Sequence, residues 1–219
     1  MINLRARRIE WLAWVGVLLV TATLLLAFLL ANLKMRARLA KPLPVYGQVA
    51  DFTLTNQNGR AVSLADLRGH VWVADIIFTR CQGPCPAITR QMNYLQQALP
   101  AESQAELVSL TTDPDFDTPP VLKAYAEEFG VDTNRWMFLT GPKKDIAKLA
   151  IDSLKLTAIE KQAAERESPN DLFVHSTIFV LVDQRGRLRG VFETTGDEID
   201  PQKVKAKILA DVKRLERER

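Results

Sequence analysis

From Trp11 to Leu33 the chain reads WLAWVGVLLVTATLLLAFLLANL, with no charged side chain anywhere in the run. About 20 such residues in a helix span the hydrocarbon of a bilayer. The run therefore predicts a single transmembrane helix over residues 11–33, with residues 1–10 as a stub and residues 34–50 as a linker. The apolar core of a cleaved signal peptide is only about 7–15 residues and ends at small residues. Here the run continues through Leu29, Leu30, Ala31, Asn32 and Leu33, with neither a small-x-small site nor a lipoprotein cysteine. An uncleaved anchor is the expectation. Arg5, Arg7 and Arg8 precede the run while Lys34, Arg36, Arg38 and Lys41 follow it, so the rule that positive flanks stay inside gives no orientation.

The remainder, residues 51–219, reads as one folded domain. Hydrophobic content of 47% against 25% charged residues suffices for a core. A net charge of +3 and the lack of any nucleic-acid module signature exclude a nucleic-acid partner. Asp51–Thr55 and Arg60–Ser63 read as a hairpin around Asn58-Gly59. His70–Phe78 (HVWVADIIF) is apolar and β-branched without alternation, as in a strand buried on both faces. Ile88, Met92, Leu95 and Leu99 then recur at helical spacing behind Pro84. Glu106–Thr111 is the next strand, and Thr118 and Pro119 open a helix that Gly130 closes. Trp136–Leu139 reads as a strand and Pro142–Leu154 as a helix, while Lys155–Asn170 is charged and aperiodic, an expected loop. Thr177–Val182 and Leu188–Phe192 pair across Asp183–Gly186, and Asp200-Pro201 starts a last helix on Val204, Ile208, Val212 and Leu215. The order is that of an α/β, thioredoxin-like fold, a central mixed sheet flanked by helices and preceded by one N-terminal transmembrane helix.

The two cysteines form one motif, Cys81-Gln82-Gly83-Pro84-Cys85, where a buried strand meets a helix. A helix N-terminus offers unpaired N–H groups and the positive dipole end, which favour thiolate. The expectation is a pair of low-pKa sulfurs facing one another at the domain surface, able to form a disulfide or hold one metal ion. A purely stabilising disulfide fits poorly, since so short a loop removes little chain entropy. Structural zinc wants four ligands, and no second Cys or His pair exists. Asp113, Asp115 and Asp117 read as turn and capping residues rather than a calcium loop.

Phe78–Pro86 (FTRCQGPCP) resembles the signature of the Sco/SenC family, thioredoxin-fold proteins implicated in assembling the copper A centre of cytochrome c oxidase. Thr112-Asp113-Pro114 followed by Asp117-Thr118-Pro119 is similar to the family's DP…DTP segment. Trp136–Gly141 (WMFLTG) and Val174–Val182 (VHSTIFVLV) resemble its strand-and-turn and its histidine-bearing strand. The resemblance runs from about Asp51 to Arg189. It implies a copper site formed by Cys81, Cys85 and His175. Soft thiolates select Cu(I), and an imidazole suits both oxidation states. The sequence departs from the family pattern at Val174, where many members carry an acidic residue, so the group orienting the imidazole is not read from the motif. His70 reads as structural. Thioredoxins place a buried aspartate at the interval Asp75 keeps from Cys81, where it relays protons for the inner cysteine, and Ser176 takes the place of their cis-proline.

The resemblance thus implies a copper-binding assembly factor in a bacterial inner membrane, its domain in the periplasm. Its partners would be the copper-bearing subunit of the oxidase and a thioredoxin-like reductant or another copper chaperone. The stub is too short for a mitochondrial transit peptide. The rival expectation is a thiol–disulfide oxidoreductase, with Cys81, Cys85 and Asp75 catalytic, that keeps the oxidase's copper-ligand cysteines reduced. His175 separates the two, because disulfide exchange does not need it.

Overall fold

The structure, a computed structural model, describes residues 4–162, 164 and 173–218; at 4–10, 13, 35–40, 158–160, 174 and 175 it describes the backbone alone. The chain divides into two compact units between Pro42 and Leu43. The first is one helix, α1 (Leu4–Ala40). Its segment Trp14–Lys34 is long and apolar enough to cross a membrane. Leu18, Leu25 and Phe28 are each about two-thirds exposed on it, more apolar surface than a helix in water normally shows. Thr21 and Thr23 donate their hydroxyls to the carbonyls of Leu18 and Val20, so neither leaves an unmet polar group on that surface. The helix also takes in the first part of the segment read as a linker. Between Leu33 and Pro42 there is no glycine or proline, and Leu, Lys, Met, Arg and Ala are all strong helix formers.

In the second unit an eight-stranded mixed sheet runs β1-β10-β9-β4-β5-β6-β2-β3. Its strands are β1 (Gly47–Gln48), β2 (Thr53–Asn56), β3 (Ala61–Ser63), β4 (Trp72–Ile77), β5 (Glu106–Thr111), β6 (Trp136–Thr140), β9 (Ile178–Val182) and β10 (Arg187–Glu193). Strands β4, β5 and β6 are parallel and the other pairs antiparallel. The unit also holds helices α2 (Leu64–Leu67), α3 (Cys85–Ala98), α4 (Pro119–Glu128), α5 (Lys143–Ala147) and α6 (Pro201–Leu215). Strand β4 is buried along its whole length. With a period of two, Val73 and Ile77 join the core that holds Cys81, Cys85, Ile88, Met92 and Ile208. Trp72, Ala74 and Ile76 join the opposite core with Leu149, Val108 and Val180. Asp75 lies between Val73 and Ile77 in the alternation, hence on the cysteine face.

Four elements differ from the sequence reading. Strand β1 pairs with β10, so the domain's sheet begins inside the segment read as a linker. Arg189, only 3% exposed, donates to the carbonyls of Leu43 and Pro44 and fixes that entry. The helix expected over Pro142–Leu154 stops at Ala147 and continues as a π-helical turn, Lys148–Ser153. The wider turn buries Leu149, Ala150, Ser153 and Leu154 together. The expected loop contains β7 (Ala158–Glu160), which pairs antiparallel with β8 (Phe173–His175) in a separate two-stranded ribbon. Residues 163 and 165–170 of that loop lie outside the described residues. Finally, Val174–Val182 is not one strand: Ser176 bonds through its N–H to Thr157, while the carbonyl of Thr177 accepts from Thr194. The break hands the chain from the ribbon to the sheet.

Candidate metal and thiol site

Strand β4 delivers the chain to the site. Beyond Ile77, Phe78 is buried and its carbonyl accepts from the N–H of Cys81, closing a tight turn. Gln82, Gly83 and Pro84 are exposed. A side chain at Gly83 would start 3.7 Å from the Cys81 sulfur, so that sulfur lies directly beneath the loop. Pro84 stands at the helix cap position with helical angles, and Cys85 is the first residue of α3.

Both cysteines are reduced thiols, and neither lies at the surface: Cys81 is 8% exposed and Cys85 is fully buried. The two side chains are hydrogen-bonded. That bond, then burial, then the charge of Cys81 push the Cys85 thiol well above its ordinary value; a backbone hydrogen bond at Phe78 opposes them and the Asp75 charge adds to them. The expectation of a thiolate lowered by the helix end is corrected for Cys85. The dipole end contributes at most about 2 kcal/mol, even in a favourable partly buried geometry. Desolvation and a second ionisable sulfur at hydrogen-bonding distance outweigh it. Cys85 is thus held as a neutral thiol that gives up its proton when a soft cation binds.

Asp75 is 1% exposed, and its charge raises Cys85 and also Tyr125. It is thus in electrostatic contact with the inner cysteine, where the strand's alternation puts it. Tyr125 was not singled out from the sequence. Its hydroxyl bonds that of Thr89 at 2.8 Å, and Thr89 lies one turn after Cys85 on the same helix face. Burial leads the causes that raise the Tyr125 phenol, with Cys85 and Cys81 among them.

Asp117 differs from its reading as a turn and capping residue. Thr118 occupies the N-cap position of α4, but its side chain makes no capping bond. Asp117, fully buried, accepts the N–H of Thr79 at 3.2 Å and the hydroxyls of Thr79 and Thr111. Burial raises its carboxyl above the usual range, and those hydrogen bonds restrain the rise. Asp113 receives the Arg80 guanidinium at 2.5 and 3.1 Å, and Arg80 also lies 4.2 Å over the Phe116 ring. The spacing of two acids across the DP…DTP segment was the available signal, though their targets are invisible in sequence.

The side chain of His175 lies outside the described residues. Its backbone is paired with Ala158 in the ribbon. Two residues before it, Phe173 meets Phe78 edge-on at 5.2 Å, which brings β8 against the strand end that carries the cysteines. Among the described residues no three His, Cys, Asp or Glu side chains cluster as a metal site. His70 sits elsewhere, bonded to the Gln104 carbonyl at 3.0 Å and near Glu106, in agreement with a structural role.

A family model described as SCO1/SenC matches residues 44–213. The SCO1 protein homolog of Bacillus subtilis is 36% identical over 162 residues, covering 71% of this chain and 81% of that protein. BsSco, a member of the Sco family of cytochrome c oxidase assembly proteins in which a disulfide switch has been identified, matches with a TM-score of 0.67 at 32% identity. That match covers 82% of this chain and 100% of BsSco. Bradyrhizobium japonicum ScoI, solved with copper bound, matches with a TM-score of 0.62 at 25% identity over 77% of this chain and 99% of its own. With that family model matched over residues 44–213, which take in the whole sheet and the thiol pair at the turn between β4 and α3, this chain belongs to the SCO1/SenC family.

Proposed function

We propose that the chain is a membrane-anchored copper-binding protein that assists copper delivery to, and assembly of, the copper A centre of cytochrome c oxidase. The observation that carries this is the hydrogen-bonded thiol pair beneath an exposed Gln82-Gly83-Pro84 loop. Two sulfurs that already share a proton contact need little reorganisation to bind one soft cation, and binding releases their protons. Phe173 on Phe78 supports His175 as the third ligand by bringing its strand to the same end of the sheet. The donor set of two thiols and one imidazole fits copper and is too small for structural zinc. Copper is the cargo here, held through Cys81, Cys85 and His175 until a softer or more complete site in the oxidase subunit takes it. The anchor at 11–33, within α1, would keep the domain, read as residues 51–219, on the periplasmic side of a bacterial inner membrane.

The deciding test measures copper binding to the reduced full-length chain in detergent. Cys81→Ser or Cys85→Ser should abolish tight binding. His175→Ala should keep part of the Cu(I) affinity and lose stable Cu(II), since Cu(II) depends far more on imidazole nitrogen. In cells, His175→Ala should fail to restore oxidase activity under limiting copper; full restoration would sink the delivery role.

One observation favours a second reading. The Asp75 charge reaches Cys85, the arrangement a thiol–disulfide reductase needs for proton transfer. Such an enzyme would keep the oxidase's cysteines reduced, drawing electrons from a thioredoxin-like reductant, and would tolerate His175→Ala.

A further inference from the structure

Two consecutive residues just ahead of Cys81 are gripped by two carboxylates of the loop between β5 and α4. Thr79 is held by Asp117 through its N–H and its hydroxyl. Arg80 is held by Asp113 through two guanidinium nitrogens and is covered by Phe116. The grip is itself anchored. The second carboxylate oxygen of Asp117 also takes the Thr111 hydroxyl at the end of β5, the N–H of Asp117 donates to the Asp113 carbonyl at 2.8 Å, and the N–H of Thr112 donates to Ile77. Nothing in this arrangement is needed to build the sheet, whose β4–β5 register is already set by backbone pairing from Trp72 to Thr111. What it adds is a fixed path for the three residues between the end of β4 and Cys81.

We propose that Asp117 is a positioning residue for the thiol pair, setting the approach of Cys81 to Cys85 through Thr79, with Asp113 and Arg80 as a second arm. This rests on the reading of Cys81 and Cys85 as the working pair. A sulfur on a released loop samples more positions, so its effective concentration toward its partner falls. Both products of close approach then weaken together: the disulfide becomes easier to reduce, and a cation shared by the sulfurs is bound less tightly. A carboxylate that merely stabilised the fold would lower the stability of the oxidised and reduced forms alike and leave the equilibrium between them unchanged.

The experiment is a redox titration of the metal-free full-length chain in detergent against dithiothreitol. Each turnover breaks the Cys81–Cys85 bond, transfers two electrons and two protons from one dithiothreitol, and leaves two protein thiols and the cyclic disulfide of the reagent. Asp117→Ala is expected to shift the exchange constant toward the reduced pair by about tenfold, close to 30 mV. It should also weaken Cu(I) binding by about 10–100-fold, the usual consequence of losing a group that orients a ligand. Asp117→Asn, whose amide can still accept from Thr79, should recover most of both. Thr79→Val, which keeps the N–H bond and loses only the hydroxyl, serves if Asp117→Ala does not fold, and should shift both quantities in the same direction by less. Unchanged exchange constant and Cu(I) affinity in the folded variants overturn the proposal, even where thermal stability drops. If the wild-type chain binds no copper but Asp117→Ala still moves the exchange constant, the positioning role stands and the copper reading falls.

Discussion

At Asp75 the pleat of one strand decides the chemistry available to a cysteine that follows in the chain. Val73, Asp75 and Ile77 share a face of β4, and that face carries Cys85. A buried carboxylate there disfavours the Cys85 thiolate and offers a proton acceptor when the thiol reacts. These two effects have opposite signs in an exchange reaction. Removing the charge by Asp75→Asn favours the thiolate, whereas removing the acceptor slows proton transfer. If Asp75 relays protons, Asp75→Asn should slow reduction of a mixed disulfide at neutral pH by about 100-fold and leave Cu(I) affinity nearly unchanged. A wild-type rate in stopped-flow thiol exchange would make Asp75 structural, and a faster one would leave it only its charge effect on Cys85; either outcome rules out the relay. The cysteines themselves were legible from their spacing at a strand–helix junction, and Asp75 from its place in an apolar strand. The raised Cys85 thiol was not, because it depends on the hydrogen bond to Cys81 and on burial in a core that also gathers Leu122, Phe179, Ile208 and other residues remote in sequence.

The hairpin of β9 and β10 shows the same division among elements. Asp183 and Gly186 mark its turn in the sequence, and in the structure Asp183 accepts the N–H groups of Arg185 and Arg187 while Gly186 takes a φ of 74°. Less visible is the job of Arg189, which joins Asp183 at 2.6 Å, Glu218 at 2.8 Å and the carbonyls of Leu43 and Pro44. It ties the C-terminus and the entry to the domain to one strand. Arg189→Met should cost about 3–5 kcal/mol, the range for breaking a buried ion pair from one side, seen as a lower urea midpoint. Burial raises the Asp183 carboxyl, but hydrogen bonds from Arg187, Arg189 and the backbone prevail and hold it below its ordinary value. A group depressed on folding stabilises above its unfolded pKa, and that contribution fades as pH falls through the folded value. Asp183→Asn should therefore lower stability at neutral pH and flatten the loss of stability below about pH 4. An acid limb as steep as wild type would show that Asp183 contributes nothing to it. Gly186→Ala adds a methyl at positive φ and should cost about 1 kcal/mol.

For the whole molecule, α1 supplies the proposed anchor, and the side on which the domain stands is tested on intact cells. Native thiols are poor reporters, since Cys85 is fully buried and Cys81 nearly so. A chain with Cys81→Ser and Cys85→Ser carrying Tyr94→Cys places a single thiol at a site 56% exposed on α3. A membrane-impermeant maleimide should label it in spheroplasts without lysis; labelling only after lysis would reverse the orientation. The sequence alone determined the apolar helix, the thioredoxin-like order of strands and helices and the thiol motif at their junction. Each of these is written in periodicities and spacings a few residues long, which local backbone geometry reads directly. Only the tertiary structure decided that the sulfurs are buried and Cys85 is held as a thiol, that Asp117 and Asp113 reach across to Thr79 and Arg80, and that the backbone of His175 ends a ribbon apart from the main sheet. Those outcomes are sums of desolvation, charge and hydrogen bonding over groups far apart in sequence, and such sums exist only once the chain has folded.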